Sequence, residues 1–396
     1  SNGNKTITVK SNEFEGVLAG EFNISSLPDA FQTFLNRYYP SYIAASKKKV
    51  SNNFSFFITT RKVDDYLDLL DKNLKGFNYS TINGRVNTRE NIFDLDAEVP
   101  QFGYKKIGFY DVKFQGRGTY DSLSVATTIG DIFVNDSLHF PGTNLTVNAS
   151  NDMSQVNIQT SANQTLNKAN ISGQVQTLKN GVRIMFNPSS FDINNKEWTI
   201  DKGGELILSR ELVTTDGLRI YSGEQEVLIT STPSSMGTGN DLKIDLQKIN
   251  IGDFTPFFIK SNRIEGLLSG SIEVMDPFGN LQVEAIAKAE QFRLDNDSIG
   301  TLDLSTTYAR KSGKVSFKTI SVNDGYNFDL SGLINTTDSL SDEIDINTTF
   351  NQTKIGILQQ YLTGIFSKLE GRATGNLRIK GKANSLKYLG DVSLND

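Results

Sequence analysis

The sequence predicts an all-β protein: an elongated, curved antiparallel sheet with a few short amphipathic helices. Three observations predict it. Apolar and polar residues alternate along most of the 396 residues, turn signals separate the alternating segments, and three segments carry two glycines each on an otherwise apolar strand face. Successive side chains of a strand point to opposite faces of a sheet, so alternation indicates strands with one buried face. We expect an antiparallel meander of about twenty or more strands.

The alternation is regular enough to assign faces residue by residue. Apolar side chains recur at every second position in segments such as those containing Leu123, Val125 and Ile129; Val182, Ile184 and Phe186; and Leu242, Ile244 and Leu246. The dipeptides Asn180-Gly181, Asp216-Gly217 and Asp324-Gly325 are typical of tight turns between such segments. Each alternating segment is therefore interpreted as a half-buried strand.

The double-glycine segments are 14–22, 264–272 and 369–377. In each, one face of the predicted strand has an apolar residue, Gly, an apolar or small residue, Gly and an apolar residue. Glycine weakens a strand and usually marks a bend or a close approach, so these segments indicate a concave apolar surface. The predicted positions for a sheet bend or for helix docking are Gly16, Gly20, Gly266, Gly270, Gly371 and Gly375. The alternative is that these glycines only kink ordinary sandwich strands.

Four short amphipathic helices are predicted at residues 28–38, 64–74, 253–259 and 355–366, from apolar residues spaced three and four apart. The last two lead directly into double-glycine segments. The second leads into a weaker version at 82–86, which has one glycine. A helix could lie across the concave face where side chains are missing, or the glycines could let a long strand fold over sharply; the two are compatible.

Composition excludes several classes of function. The net charge of −5 is spread without long runs and offers no electrostatic footprint for nucleic acid. Lys47, Lys48 and Lys49 form the only dense basic cluster, which we interpret as a solvated loop, with contact to anionic head groups as the alternative. Without cysteine there are no disulfides or thiolate metal sites. No apolar run is long enough for a membrane span, and we expect the chain to be an internal fragment of a longer protein.

No catalytic or metal-binding set is found in the sequence. The one histidine, His139, has no second His for a metal site or obvious triad partners. Residues 295–306 begin like a calcium loop, but the fifth position is Ile299, which has no side-chain oxygen, and the twelfth is Thr306, where a carboxylate is required, so a plain turn is expected. The single tryptophan, Trp198, is interpreted as the core anchor of a hairpin. We therefore predict no enzyme activity, no metal and no cofactor.

The segment 355–394 combines a helix, the string Gly371, Gly375 and Gly381 at strand spacing, and a short closing strand. This recurrent unit resembles the TamB family of the AsmA-like superfamily, and segments 93–97, 112–123, 132–138 and 191–204 resemble its Bacteroidota-type members. The resemblance covers most of the chain. It implies a sheet folded lengthwise into a U-shaped trough, or β-taco, with an apolar interior. It also implies a periplasmic location in a Gram-negative envelope, with an inner-membrane anchor outside this fragment.

What the resemblance implies for function is phospholipid transport between the membranes and assistance to outer-membrane protein assembly, with a partner among the outer-membrane β-barrel assembly proteins. We expect one continuous trough over 1–396, with sub-segments 1–100, 101–250 and 251–396. The candidate groove-lining residues are Phe14, Leu18, Phe22, Ile264, Leu268, Ile272, Leu369, Leu377 and Ile379.

Two other functions stay open from the sequence. A scaffold or chaperone would dock outer-membrane β-strands at its sheet edge, and an extracellular β-solenoid would bind polysaccharide. Sequence also leaves open whether the apolar faces line an open trough or close into a sandwich, because both use the same alternation.

Overall fold

A computed structural model describes residues 3–69, 71–135, 138–161, 166–210, 212–234, 239–257, 262–295, 297–336, 343–361, 368–382 and 385–395. The predicted fold class is confirmed: these residues form 27 strands, with antiparallel pairing and few short helices. Contacts group the chain into two compact units, Ser1–Ser209 and Arg210–Asp396, called unit 1 and unit 2 below.

Unit 1 contains fifteen strands that join mainly through short turns. They are β1 (Lys5–Lys10), β2 (Phe14–Glu21), β3 (Asn53–Thr60), β4 (Leu74–Gly76), β5 (Thr81–Asn87), β6 (Ile92–Tyr104), β7 (Ile107–Gly118), β8 (Leu123–Asn135), β9 (Leu138–Ser150), β10 (Met153–Thr160), β11 (Leu166–Leu178), β12 (Gly181–Phe186), β13 (Ser189–Ile193), β14 (Lys196–Ile200) and β15 (Glu205–Ser209).

The unit 1 sheet is a meander with two local departures. Strands β1, β2, β3 and β5 to β11 pair in this order, each antiparallel to the next. Short β4 pairs with the far end of β6, where β5 has ended. At the other side, β11 pairs with β12 along one half and with β13 along the other, so the sheet branches there.

Helix α1 (Leu27–Tyr38) matches the predicted helix closely. Pro28 and the acidic Asp29 lie in its first turn and the basic Arg37 lies in its last turn, where each charge opposes the helix dipole. Ala30, Phe34 and Tyr38 form its buried stripe. Helix α2 (Asp64–Leu67) is much shorter than predicted. The Asp64 carboxylate accepts hydrogen bonds from the backbone N–H of Gly76 and the side-chain amide of Asn78, at 2.7 and 2.6 Å. These bonds fold the chain back into β4, so Leu74 belongs to a strand.

Unit 2 contains the remaining twelve strands. They are β16 (Val213–Thr215), β17 (Leu218–Ser222), β18 (Gln225–Pro233), β19 (Asn240–Asn250), β20 (Ile264–Met275), β21 (Gln282–Leu294), β22 (Asp297–Ala309), β23 (Lys314–Asn323), β24 (Tyr326–Asn335), β25 (Glu343–Lys354), β26 (Arg372–Lys382) and β27 (Ser385–Asn395). From β17 to β27 every strand pairs antiparallel with the next along the chain.

The described parts of the two helical segments predicted in unit 2 are a short α-helix that continues as a 3₁₀ turn, and a six-residue 3₁₀ helix. Helix α3 (Ile251–Phe254) is capped by the Asn250 side chain and continues as a 3₁₀ turn, Thr255–Phe257. The segment Gly356–Tyr361 is a 3₁₀ helix, in which the Leu358 N–H donates to the Ile355 carbonyl. The rest of both predicted helices lies outside the described residues. Within the described part of the chain, no helix has the length and apolarity to cross a membrane.

β-Bulges interrupt several of the long strands of unit 2. Pairing shifts register in β19, β21 and β25, and there the residues Lys248, Gln291 and Gln352 have φ between 49° and 54°. Gly266 in β20, at φ 150°, lies opposite the bulge of β21. A bulge bends its strand and strengthens the local twist, so these positions bend the sheet near one end of its strands.

Candidate functional site: the apolar sheet faces

In unit 1, α1 covers one cross-strand row of the sheet. The paired residues of this covered row are Phe54, Val86, Phe93, Gly118, Leu123 and Ala149. All are buried, and they form one cluster with the buried stripe of α1. The Phe34 ring lies 5.5 Å from that of Phe93 and 4.9 Å from that of Tyr120. The helix is thus fixed at one end of the strands.

The next two rows of the same face are not fully covered, and we call them the open rows of unit 1. Their side chains are half-buried, apart from buried Gly84 and Gly116. One row holds Leu18, Phe56, Gly84, Leu95, Gly116, Val125, Val147 and Val156, and the other Gly16, Ile58, Ile82, Ala97, Phe114, Thr127, Leu145 and Ile158. Beyond them, Val99, Val112, Ile129 and Thr143 form a second buried row.

Unit 2 repeats this arrangement across strands β19 to β26. Its covered row holds Ile249, Leu268, Ala289, Leu302, Ser321, Phe328, Phe350 and Gly375. Ile251 of α3 and Ile357 of the 3₁₀ helix pack against the cluster formed by Ala289 and Leu302. Leu358 packs against the neighbouring cluster of Phe350, Ile355, Leu369 and Ala373.

Three open rows follow in unit 2, and their residues are half-buried except for buried Thr348. The first holds Leu246, Gly270, Ala287, Leu304, Thr319, Leu330, Thr348 and Leu377. The second holds Ile244, Ile272, Ala285, Thr306, Phe317, Gly332, Ile346 and Ile379. The third holds Leu242, Val274, Val283, Tyr308, Val315, Ile334, Ile344 and Gly381. None of these residues is charged.

The opposite face of each sheet carries the charges. In unit 2 the Arg378 guanidinium makes two hydrogen bonds, of 2.7 and 2.6 Å, to the Asp345 carboxylate, and Lys318 pairs with Asp329 at 3.1 Å. The hydrogen bonds from Arg378 and its positive charge hold the pKa of Asp345 below its ordinary value. In unit 1, Arg117 donates to Asp96 at 2.7 Å. The sheet therefore separates a charged polar face from an uncharged apolar face.

The structure distributes the nine candidate lining residues among these rows. Leu18, Ile272, Leu377 and Ile379 lie in open rows. Leu268 lies in the covered row of unit 2, and Phe14 and Ile264 lie half-buried at strand starts. Phe22 and Leu369 are only 4% and 6% exposed and belong to buried clusters, so they contribute packing rather than accessible surface.

The six predicted glycines differ in how tightly they are constrained. Gly20, Gly266, Gly371 and Gly375 have φ from 90° to 150°, where other residues are strained, and Gly20 and Gly375 also approach the neighbouring backbone closely. Gly270 lies so close to Ile286 and Ala287 that a Cβ would clash. Gly16 has neither restriction, since an added Cβ would meet Ile58 at 3.9 Å.

Sequence reasoning missed the bulge residues and most of the open rows. Lys248, Gln291 and Gln352 carry no residue-type signal for positive φ, because lysine and glutamine are not turn formers. The open-row residues of β21 to β25 could have been found, since each has the period-two pattern; what was missing was the register that aligns them.

The structure brings no catalytic set together among the described residues. His139 Nδ1, on β9, lies 3.1 Å from the Asp131 carboxylate, on the paired strand β8. Trp198 is 1% exposed and stacks on Phe191 at 6.4 Å, as expected of a hairpin anchor. The described residues contain no group of three or more His, Cys, Asp or Glu side chains placed to hold a metal ion.

Comparison with known proteins found no matching family model, no similar curated protein and no similar solved structure.

Proposed function

We propose that the open rows bind the acyl chains of phospholipids, and that this chain is a periplasmic segment of a TamB-like bridge protein. In this role it carries lipid between the inner and outer membranes and assists outer-membrane protein assembly. The observation that carries the proposal is the set of uncharged open rows, two in unit 1 and three in unit 2, which in each unit are half-buried or buried and lie on the face opposite the charges. The sequence resemblance to the TamB family supports the same function.

The chemistry of the open rows suits a hydrocarbon ligand. Burying apolar surface stabilises a complex by about 0.8 kcal/mol per CH₂ group, so many methylenes together supply substantial binding energy. A charged side chain on the same surface would lose its hydration when the acyl chain covers it, and this loss is costly for a charge without a partner. The few polar groups in these rows are uncharged hydroxyls, those of threonines such as Thr319 and Thr306 and that of Tyr308.

The extent of the unit 2 surface also suits such a ligand. Strands β19 to β26 make seven inter-strand steps, which at about 4.8 Å each span roughly 34 Å. Along the strands, the three open rows are four residues wide, or roughly 14 Å. An acyl chain lying across the strands would meet apolar side chains along its whole length.

The test is to purify the chain from a Gram-negative host and to identify co-purifying lipids by mass spectrometry, with binding of a fluorescent fatty-acyl phospholipid as the quantitative readout. Ile379→Asp places a carboxylate in the second open row of unit 2, and it lies outside the buried clusters of the fold. We expect at least a tenfold loss of probe affinity, because the carboxylate must be desolvated under the ligand.

The matched control is Ile286→Asp. Ile286 is 69% exposed on the polar face of the same sheet, so the same charge change there should leave affinity unchanged. Far-UV circular dichroism checks that both variants fold. Purification without phospholipid, together with equal probe affinity for both variants, would contradict the proposal.

A further inference from the structure

Unit 1 contains a basic segment from Tyr39 to Asn52, between α1 and β3. It is not part of the open rows. Lys47, Lys48 and Lys49 are all exposed in it. None of the three forms an ion pair with a carboxylate of the described residues. Three neighbouring ammonium groups are therefore presented to solvent with their charges uncompensated by direct contact.

The segment is held in place by hydrogen bonds along its length. Ser41 binds the Asp152 carboxylate through its N–H, at 3.0 Å, and its hydroxyl, at 2.7 Å. The carbonyls of Ile43 and Ala44 accept from Asn36 and Gln32 of α1, at 2.5 and 2.8 Å.

Two more contacts fix the basic end. The Ser46 hydroxyl donates to Asp29 at 2.9 Å, and the Thr88 hydroxyl donates to the Val50 carbonyl at 3.1 Å. The lysines thus leave from a backbone that is tied to α1 on one side and to the sheet on the other. A fixed backbone presents its charges together with little ordering cost on binding.

Two exposed apolar side chains accompany the basic segment. Tyr42, in the segment itself, is 74% exposed. Ile24 is 65% exposed, and it precedes Ser26, whose carbonyl accepts from the Asn52 side chain at the end of the segment. Lysines beside an exposed tyrosine and an isoleucine combine the two features that bind a membrane interface: charge for the head groups and apolar tips for the acyl boundary.

We infer that the surface formed by Ile24, Tyr42 and Lys47 to Lys49 docks unit 1 on a bilayer that contains anionic phospholipid. The whole chain carries a net charge of −5, so a general attraction to an anionic surface is not expected, and binding has to come from this local patch. A membrane fits better than an acidic protein because the apolar tips project singly from the charged surface, without forming the contiguous apolar patch typical of a protein interface.

Vesicle co-sedimentation tests the inference with the full chain. Vesicles of phosphatidylglycerol and phosphatidylcholine in equal amounts should bind it, and vesicles of phosphatidylcholine alone should not. The triple variant Lys47→Gln, Lys48→Gln and Lys49→Gln should bind the anionic vesicles roughly a hundredfold more weakly, because each lysine near an anionic surface contributes a similar share of the binding free energy and the three shares add. Binding of the unmodified chain should fall steeply between low and physiological salt, because exposed charges are screened.

The matched control is Lys311→Gln, Lys314→Gln and Lys387→Gln, which changes net charge equally at exposed positions of unit 2. Its vesicle binding should equal that of the unmodified chain. Equal losses in both triple variants, equal binding to uncharged vesicles, or binding to polyglutamate as tight as to anionic vesicles would each overturn the inference. Ile379→Asp should bind anionic vesicles normally, which separates this surface from the acyl-binding rows.

Discussion

Replacing Gly118 by alanine is expected to disturb the packing of α1 on unit 1 in a way that a second substitution repairs. Gly118 lies in the covered row directly beneath the helix. A Cβ there would fall well inside van der Waals contact of the Tyr38 hydroxyl and within 3.1 to 3.2 Å of Phe93. Tyr38 has nowhere to move, since it is fully buried and its hydroxyl donates to the Thr119 carbonyl at 2.7 Å.

The magnitude follows from these contacts. Overpacking a filled core costs typically about 1–3 kcal/mol, against a total stability of about 5–15 kcal/mol for a domain. Tyr38→Phe alone removes one hydrogen bond and should cost about 1 kcal/mol, because the Thr119 carbonyl lies near solvent. In the double variant the missing oxygen leaves room for the new methyl group. We therefore expect the two costs not to add, with a coupling free energy of about 1–2 kcal/mol.

Urea unfolding followed by the fluorescence of Trp198 measures this cycle. Trp198 is the single tryptophan of the chain and is buried in unit 1, so its emission reports that unit. The control is Gly103→Ala in β6, where the added Cβ would meet its nearest atom at an ordinary 3.5 Å. The reasoning is refuted if Gly118→Ala costs no more than the control, or if the costs of Gly118→Ala and Tyr38→Phe simply add.

Three further predictions concern unit 2. Gln291→Val should destabilise unit 2 by about 1–2 kcal/mol because a β-branched residue is strained at φ 52°, whereas Gln291→Gly should be neutral or slightly stabilising. Hydrogen exchange of the β21 amides measures both variants, and equal effects would contradict the assignment of strain. Burial, aided by the hydrogen bond to Asp297, raises the pKa of Tyr326. The contribution of Tyr326 to stability is therefore complete below the ordinary tyrosine pKa of about 10 and is lost as the pH rises beyond that value. Tyr326→Phe should flatten the alkaline fall in stability measured by urea unfolding, and an unchanged slope would contradict this prediction. Because the pKa of Asp345 is lowered in the folded state, its contribution to stability is present above the unfolded-state pKa and is lost as the pH falls through the folded-state pKa. Arg378→Gln should raise the pKa of Asp345, measured by NMR, with little change in stability at pH 7 because the ion pair is exposed. A pKa that stays low in this variant would exclude Arg378 as the cause of the shift.

Strands and their faces could be predicted from the sequence because each strand carries its own period-two signal. Leu123, Val125 and Ile129 recur at alternate positions of β8 with Thr127 in the same phase, and the structure places all four on one face of the strand. Helix α1 could also be predicted, because twelve residues give room for a stripe such as Ala30, Phe34 and Tyr38.

Helix α2 was predicted too long for a physical reason. An apolar spacing of three and four residues fits a 3₁₀ or irregular turn as well as an α-helix when the segment is short, and tertiary bonds then decide. Asp64 ends α2 through bonds to Gly76 and Asn78, which lie in the next strand and its turn and are invisible to a local pattern. The candidate site was found only in part for a similar reason: its rows consist of residues from many strands, aligned by register alone.

The bulges at Lys248, Gln291 and Gln352 have a consequence for how a strand is phased. Each adds one residue, so the apolar face changes from even to odd numbers, or from odd to even, as the strand crosses it. In β19 the face passes from Leu246 to Ile249, in β21 from Ala289 to Phe292, and in β25 from Phe350 to Thr353. Beyond each bulge the apolar face therefore continues in the opposite phase of the same strand. Deleting Gln291 alone would remove the extra residue and its bend, and regular alternation would keep Phe292 and Leu294 on the apolar face, opposite Gly266 and Ile264 of β20.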